Sequence, residues 1–241
     1  MAMKSVLSLL SVILLCSNSF AQLDVTALER AMANPDRPAA DKERDASRQA
    51  PAVLNFLGLE EGNTVLDISA AAGWYTEVLS YAAGSSGKVY MQNNPGGRNE
   101  EAASARAARF SNVEQLGLIS DLPAGSVDFA ITALNLHDWH NIWRGNSDPA
   151  TAQNILGQVM SALKSGGILG VIDHEGTPGA DNGSLHRISY DETVKAVLAS
   201  GFVLVGSSDI LDNEADDHSV GPFDASLGRN TDRLVLKFMK L

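Results

Sequence analysis

Residues 64–76, TVLDISAAAGWYT, limit the possible folds of this chain more than any other stretch. Val65 and Leu66 are typical of a buried parallel strand, and Asp67 follows them directly. The residues at positions 69–73 are all small, which lets a ligand approach the backbone closely. The stretch therefore predicts a strand, a tight turn and a helix that together form a ligand-binding edge of an open α/β sheet.

Strand-like and helical segments alternate along the rest of the chain. Seven segments are strand-like: 64–68, 88–92, 113–116, 127–134, 168–174, 202–207 and 233–239. Segments with apolar residues at helical spacing lie before and between them: 50–57, 75–83, 99–110, 149–163 and 191–199. Such alternation produces right-handed β-α-β units. We therefore predict an α/β fold with a doubly wound, mostly parallel sheet of seven strands.

Residues 1–21 have the pattern of a secretory signal peptide. Their apolar run is too short to cross a membrane, and small residues before Gln22 favour cleavage there. The chain has one cysteine, Cys16, so no disulfide is expected after cleavage. We predict an exported, periplasmic or secreted protein with a polar lead-in at 22–49 and one domain at 50–241.

The charge balance of the chain restricts its partners. The sequence has 29 acidic and 18 basic residues and a formal net charge of −11. A chain of this charge is repelled by nucleic acids and by anionic membrane surfaces, so neither is expected as a partner. A small-molecule substrate is compatible with this balance, and the sequence leaves the oligomeric state open.

Several features occur in the order of a known set of motifs. They are the segments 65–67, 87–90, 121–130 and 163–167. In this order the chain resembles class I S-adenosylmethionine-dependent methyltransferases, and the resemblance covers nearly all of the chain that follows the signal peptide. It implies a Rossmann-like methyltransferase domain, S-adenosylmethionine as the cofactor and methyl transfer to an unidentified small-molecule acceptor.

In detail the chain looks like a group of predicted bacterial methyltransferases. This group shares an arginine-rich segment before the first strand, here Arg44 and Arg48. It also shares a His-Asp pair after the fourth strand, here 137–138, and an Asp-His pair after the fifth, here 173–174. The export predicted above makes this an exported member of the group.

The resemblance implies a cofactor site along the edge of the sheet. Its residues would be Asp67, Ser69, Ala71, Gly73, Gln92, Asn93, Asp121 and Asn135. Asp67 would orient the methionine end, while the turn packs against the homocysteine and ribose. Gln92 and Asn93 stand where most of the family has an acid for the ribose hydroxyls. Asp121 would meet the adenine amino group, and Asn135 would line the floor.

The turn departs from the family motif D-x-G-x-G-x-G. Its three glycine positions are occupied by Ser69, Ala71 and Gly73. A side chain disfavours positive φ, so Ala71 is expected at negative φ or in a reshaped loop. This turn, together with Gln92, is also compatible with an alternative function, a non-catalytic protein that binds another small ligand.

Histidines and acids follow the fourth and fifth strands and are candidates for catalysis. We predict His137 as the general base, with His174 as second choice and Asp138 or Asp173 fixing the tautomer. His137, Asp138 and His174 are thus the predicted catalytic residues. A base assists methyl transfer, but positioning of the reactants contributes most.

The same residues permit a metal site as a less favoured alternative. The possible ligands are His137, Asp138, His140, His174 and His186. Because residues 137–140 are expected in a loop, they lack the i, i+4 helical spacing of zinc proteases. We therefore predict no metal ligand, and we interpret His186 and Arg187 as packing residues and Asp191 as a helix N-cap.

Overall fold

The computed structural model describes residues 21–141 and 149–241. The signal peptide predicted at 1–21 lies outside these residues except for Ala21. In the described part the strands are β1 (Ala21–Gln22), β2 (Glu60–Glu61), β3 (Thr64–Ile68), β4 (Lys88–Gln92), β5 (Val113–Leu116), β6 (Val127–Ala133), β7 (Leu163–Gly176), β8 (Ile188–Ser189), β9 (Val203–Ser208) and β10 (Arg233–Met239). The α-helices are α1 (Val25–Met32), α2 (Ala39–Lys42), α3 (Asp45–Arg48), α4 (Ala50–Leu57), α5 (Trp74–Ala83), α6 (Glu100–Ala107), α7 (Leu136–His140), α8 (Pro149–Ala162) and α9 (Tyr190–Ala199).

The main sheet has the strand order β5-β4-β3-β6-β7-β10-β9, with β8 beside the end of β7. All pairs are parallel except those of β10, which runs antiparallel to both β7 and β9. The doubly wound α/β fold is confirmed. The order of strands reverses between the neighbours β3 and β6, and in such sheets ligands bind at the carboxyl ends of the strands beside this point.

Helices cover both faces of the sheet and bury the apolar sides of its strands. On one face α1, α4 and α5 contribute the buried side chains of Leu28, Leu54 and Leu79. On the other face α8 and α9 contribute Leu156 and Val197. Because β3 and β6 lie between two apolar layers, their runs of consecutive apolar residues are explained.

The segment 22–49 packs onto this domain through α1, α2 and α3. The guanidinium of Arg37 is fully buried, donates to the Met32 carbonyl at 2.8 Å and pairs with Asp45 at 2.6 Å. The indole Nε1 of Trp74 donates to the Asp41 carbonyl at 3.0 Å. These contacts hold the segment against the start of α5, beside the carboxyl end of β3.

Three local predictions are wrong in detail. His137 to His140 lie in α7, not in a loop. Leu134 leaves the predicted strand and adopts a φ of +62°. The N-cap of α9 is Ser189, whose side chain accepts from the Glu192 backbone, while Asp191 lies in the first turn. Because the Ser189 hydroxyl caps the helix, Asp191 contributes only a favourable negative charge near the positive end of the helix dipole.

Candidate functional site

The turn after β3 has the left-handed backbone conformation that favours glycine, although two of its three glycine positions carry side chains. Ser69 and Ala71 both have a φ of +52°, and Gly73 has a φ of +81°. The expectation of a negative φ at Ala71 is therefore wrong. A Cβ at Gly73 would lie 2.6 Å from the Met91 methyl carbon, so this position has neither the conformation nor the space for a side chain.

Two amide side chains at the end of β4 hold the turn in this conformation. Gln92 Oε1 accepts from the Ser69 backbone at 3.0 Å, and its Nε2 donates to the Gly117 carbonyl at 2.9 Å. Asn93 accepts from the Ala71 N–H at 2.8 Å and donates to the Ala71 carbonyl at 3.0 Å. Gln92 and Asn93, both predicted to contact a ribose, are thus bonded to the backbone of the turn. Gln92 is also bonded to the residue that follows β5.

Glycine at either strained position is expected to stabilise the protein. In the left-handed conformation a residue other than glycine is destabilised by about 1–2 kcal/mol, and a change to glycine removes this cost. Part of the benefit is offset because glycine has greater conformational freedom in the unfolded chain. Ser69→Gly and Ala71→Gly should each raise the free energy of unfolding in urea by up to about 1 kcal/mol. Ala72→Gly is the matched control, because Ala72 is in the same turn but not at positive φ, and it should destabilise. A loss of stability in Ser69→Gly and Ala71→Gly as well would contradict the prediction.

A cavity of about 360 Å³ lies over the turn, at the carboxyl ends of β3 and β6. Its walls include Arg48, Asp67, Ser69, Ala71, Trp74 and Asn135. A second cavity, of about 290 Å³, lies beyond Asn93 at the ends of β4 and β5. Asn99 lines both cavities, so the two lie next to each other beside the turn.

Asp67 places a buried carboxyl group at the end of β3, in the wall of the first cavity. Only 2% of the residue is exposed, and the Thr76 hydroxyl donates to Oδ2 at 2.5 Å. Burial raises the pKa of Asp67 to about 7, although the hydrogen bond from Thr76 and the charge of Arg48 act in the opposite direction. The negative form of Asp67 is therefore poorly compensated by the protein itself.

The opposite wall is positively charged and comes from the segment 22–49 and from α6. Arg106 is paired with Asp41 at 2.5 Å. The Arg48 guanidinium instead lies over two rings, 4.5 Å from the Trp74 centroid and 5.3 Å from that of Tyr75. Within residues 21–141 and 149–241 it has no carboxylate partner at salt-bridge distance, so its donors are available to an anion in the cavity.

His137 is held by a buried carboxylate and does not line the first cavity. Its Nδ1 lies 2.6 Å from Asp173 Oδ1, and its backbone N–H donates to Asp173 Oδ2 at 2.8 Å. Burial acts to lower the pKa of His137, but the charge and hydrogen bond of Asp173 and the charge of Asp138 outweigh it and raise the pKa. Asp173 thus fixes the ring and its tautomer, as the sequence suggests.

His174 lies beside His137, with the two ring centroids 5.5 Å apart, but its ring is bonded to a different partner. Its Nδ1 lies 2.6 Å from the hydroxyl of Thr231, and burial lowers its pKa to about 3. His174 is therefore neutral, and it does not line the first cavity. Asp121 is exposed on a 3₁₀ turn and does not line the first cavity either, whereas Asn135 does.

Two residues of the cavity wall were not identified from the sequence, and one histidine was named there only as a less favoured metal ligand. Asp41 and Trp74 in the cavity wall give no local signal, because an acid in a polar helix and an aromatic at a helix start are common. His186 is interpreted above as a packing residue, yet its Nδ1 lies 3.1 Å from Asp138 Oδ1. Only the fold brings these residues, 48 positions apart, into contact.

Solved structures share this fold at low sequence identity. A SAM-dependent methyltransferase from Aquifex aeolicus is 20% identical, with 90% of this chain and 99% of that chain covered and a TM-score of 0.62. An arsenic(III) S-adenosylmethionine methyltransferase from Chlamydomonas reinhardtii is 16% identical, with 89% and 73% covered and a TM-score of 0.57. Aeropyrum pernix fibrillarin, in complex with natively bound S-adenosyl-L-methionine, is 15% identical, with 81% and 76% covered and a TM-score of 0.53. The chain therefore has the class I methyltransferase fold.

No protein-family model and no curated protein matches the chain. Among the described residues, no helix combines the length and the apolar character that crossing a lipid bilayer requires.

Proposed function

We propose that this protein is an S-adenosylmethionine-dependent methyltransferase that acts on a small-molecule acceptor. The observation that carries the proposal is the pair of neighbouring cavities beside the turn, at the point where the strand order of the sheet reverses. Two cavities that share Asn99 suit a ligand with an amino-acid end and a nucleoside end. When bound, S-adenosylmethionine supplies a methyl group activated on a sulfonium.

The charges of the first cavity complement the amino-acid end of this cofactor. That end carries an ammonium and a carboxylate. The poorly compensated carboxyl of Asp67 suits the ammonium, and the Arg48 guanidinium, stacked on Trp74, suits the carboxylate. Charge-assisted hydrogen bonds of this kind are about twice as strong as neutral ones.

The turn gives the bound group a fixed backbone to lie against. Gln92 and Asn93 hold the backbone of Ser69 and Ala71 in place, and the small side chains of the turn leave the cavity open. Displacement at an activated methyl depends chiefly on such positioning. The catalytic roles predicted for His137, Asp138 and His174 stay predictions, since none of the three lines the first cavity.

Calorimetric titration with S-adenosylmethionine tests the proposal. We expect saturable binding by the protein, and a loss of affinity of about 10-fold to 100-fold in Arg48→Gln, because a hydrogen bond to a charged group contributes about 1.5–3 kcal/mol. Arg30→Gln is the matched control, since Arg30 is exposed at the end of α1 and lines neither cavity. An absence of heat at millimolar cofactor would overturn the proposal. Equal affinity in Arg48→Gln and the protein itself would overturn the role of Arg48.

A further inference from the structure

We propose that His137, Asp138 and His186 form a binding site for a divalent transition-metal ion of the zinc class. Three potential ligand atoms, His137 Nε2, an Asp138 oxygen and His186 Nδ1, lie within 4.8 Å of one another. This site does not depend on the proposed cofactor or on methyl transfer. It departs from the expectation of no metal ligand and takes up the alternative that the sequence left open.

Two of the three spacings between the ligand atoms match a tetrahedral ion. Atoms about 2.0–2.1 Å from a tetrahedral zinc lie about 3.3 Å from one another. Asp138 Oδ1 is 3.3 Å from His137 Nε2 and 3.1 Å from His186 Nδ1. Two imidazoles and one carboxylate are donors that suit zinc, and three protein ligands leave a fourth position for water or a substrate oxygen.

Asp173 gives His137 the arrangement of a metal ligand. It accepts from the Nδ1 side of the ring, so in the neutral ring Nε2 carries a lone pair. That lone pair lies 3.3 Å from Asp138 Oδ1, which is also an acceptor. A cation between these atoms takes the place of a proton on Nε2, as in the carboxylate–histidine–metal groups of other proteins.

His186 is presented to the cluster by a firmly held backbone. It has a φ of +52°, a strained conformation for histidine that persists only where the surroundings enforce it. The next residue, Arg187, is fully buried and bonded to the Asp216 carboxylate at 2.8 Å. The side chain of Asp138 is 49% exposed, so an ion can reach the cluster from solvent.

The test is a titration of the protein, purified without a polyhistidine tag and treated with chelator, with Zn²⁺ and with Co²⁺. We expect one ion per chain and, for Co²⁺, the visible absorption of a tetrahedral site. His186→Asn should weaken Zn²⁺ binding by at least about 100-fold, since even loss of an outer-shell partner costs about 10–100-fold. Asp138→Asn, at a half-exposed position that tolerates the change, should weaken it as well.

His218→Asn is the matched control. His218 also has a positive φ, +63°, and pairs with a carboxylate, Asp232, at 2.8 Å. Asparagine tolerates this conformation, so both histidine variants should fold, which circular dichroism checks. We expect Zn²⁺ affinity in His218→Asn within a few-fold of the original. An absence of binding at millimolar Zn²⁺, or equal losses in His186→Asn and His218→Asn, would overturn the site, whatever the outcome of the cofactor titration.

Discussion

Replacing Arg187 by alanine is expected to lower the free energy of unfolding by about 3–5 kcal/mol, because the change leaves a buried carboxylate without its cation. Arg187 is fully buried, and its Nη2 lies 2.8 and 2.9 Å from the two oxygens of Asp216. It also donates to the Glu175 carbonyl at 2.8 Å and to the Val220 carbonyl at 3.0 Å. One side chain thus ties the loop between β9 and β10 to the end of β7.

Urea unfolding and thermal melting measure this loss. For a chain of this size about 1 kcal/mol corresponds to about 2–4 °C in the melting temperature, so a decrease of roughly 6–20 °C is expected. Arg187→Lys should recover only part of the stability, since lysine cannot donate to all of these acceptors at once. Arg30→Ala, at an exposed site, controls for the loss of one positive charge and should change the stability by less than about 0.5 kcal/mol. A decrease below about 1 kcal/mol in Arg187→Ala would show that the loop is held by other contacts.

The second large effect is a dependence of stability on pH that Asp67 causes. Burial raises the pKa of this carboxyl from an ordinary value of 3.8 to about 7 in the folded protein. Between these pH values the folded state keeps a proton that the unfolded state has released, so stability falls as the pH rises. The two pKa values differ by about three, which corresponds to an upper limit of about 4 kcal/mol. Above pH 7 the contribution of Asp67 becomes constant.

Asp67→Asn isolates this contribution, because the amide has the same size and no charge. Urea unfolding of both proteins should be measured from pH 4 to pH 8. As the pH rises, the free energy of unfolding of the variant should increase by up to about 4 kcal/mol relative to that of the original protein. Asp121→Asn, at an exposed acid, controls for the change in net charge. Parallel curves for Asp67→Asn and the original protein would refute the prediction. If the effect is found, the same variant should also bind S-adenosylmethionine more weakly, because the neutral amide cannot balance the positive charge of the cofactor's ammonium group.

The bounds of four of the main strands followed from local pattern. Residues 64–68, 88–92, 113–116 and 233–239 are strands with the predicted limits. Such runs of apolar and β-branched residues must be buried between two layers of helices, and their alternation with amphipathic helices permits few topologies. The antiparallel β10 and the packing of residues 22–49 on α5 carry no comparable local signal.

The chemistry of the candidate site depended on the fold. The residue types at 69 and 71 indicate small side chains, but only the bonds from Gln92 and Asn93 reveal that the turn keeps a positive φ. Whether an amide faces a ligand or the backbone depends on partners far away in sequence, and no local preference encodes that choice.

The sequence by itself determined the class of the fold and the place of the turn, since hydrophobic periodicity and small residues act over a few positions. The tertiary structure decided which groups meet. It placed Arg48 over Trp74 and opposite Asp67, bonded His174 to Thr231, and joined His186 to Asp138 and His137. The physical reason is that distances between side chains depend on how strands and helices pack across long separations in the chain.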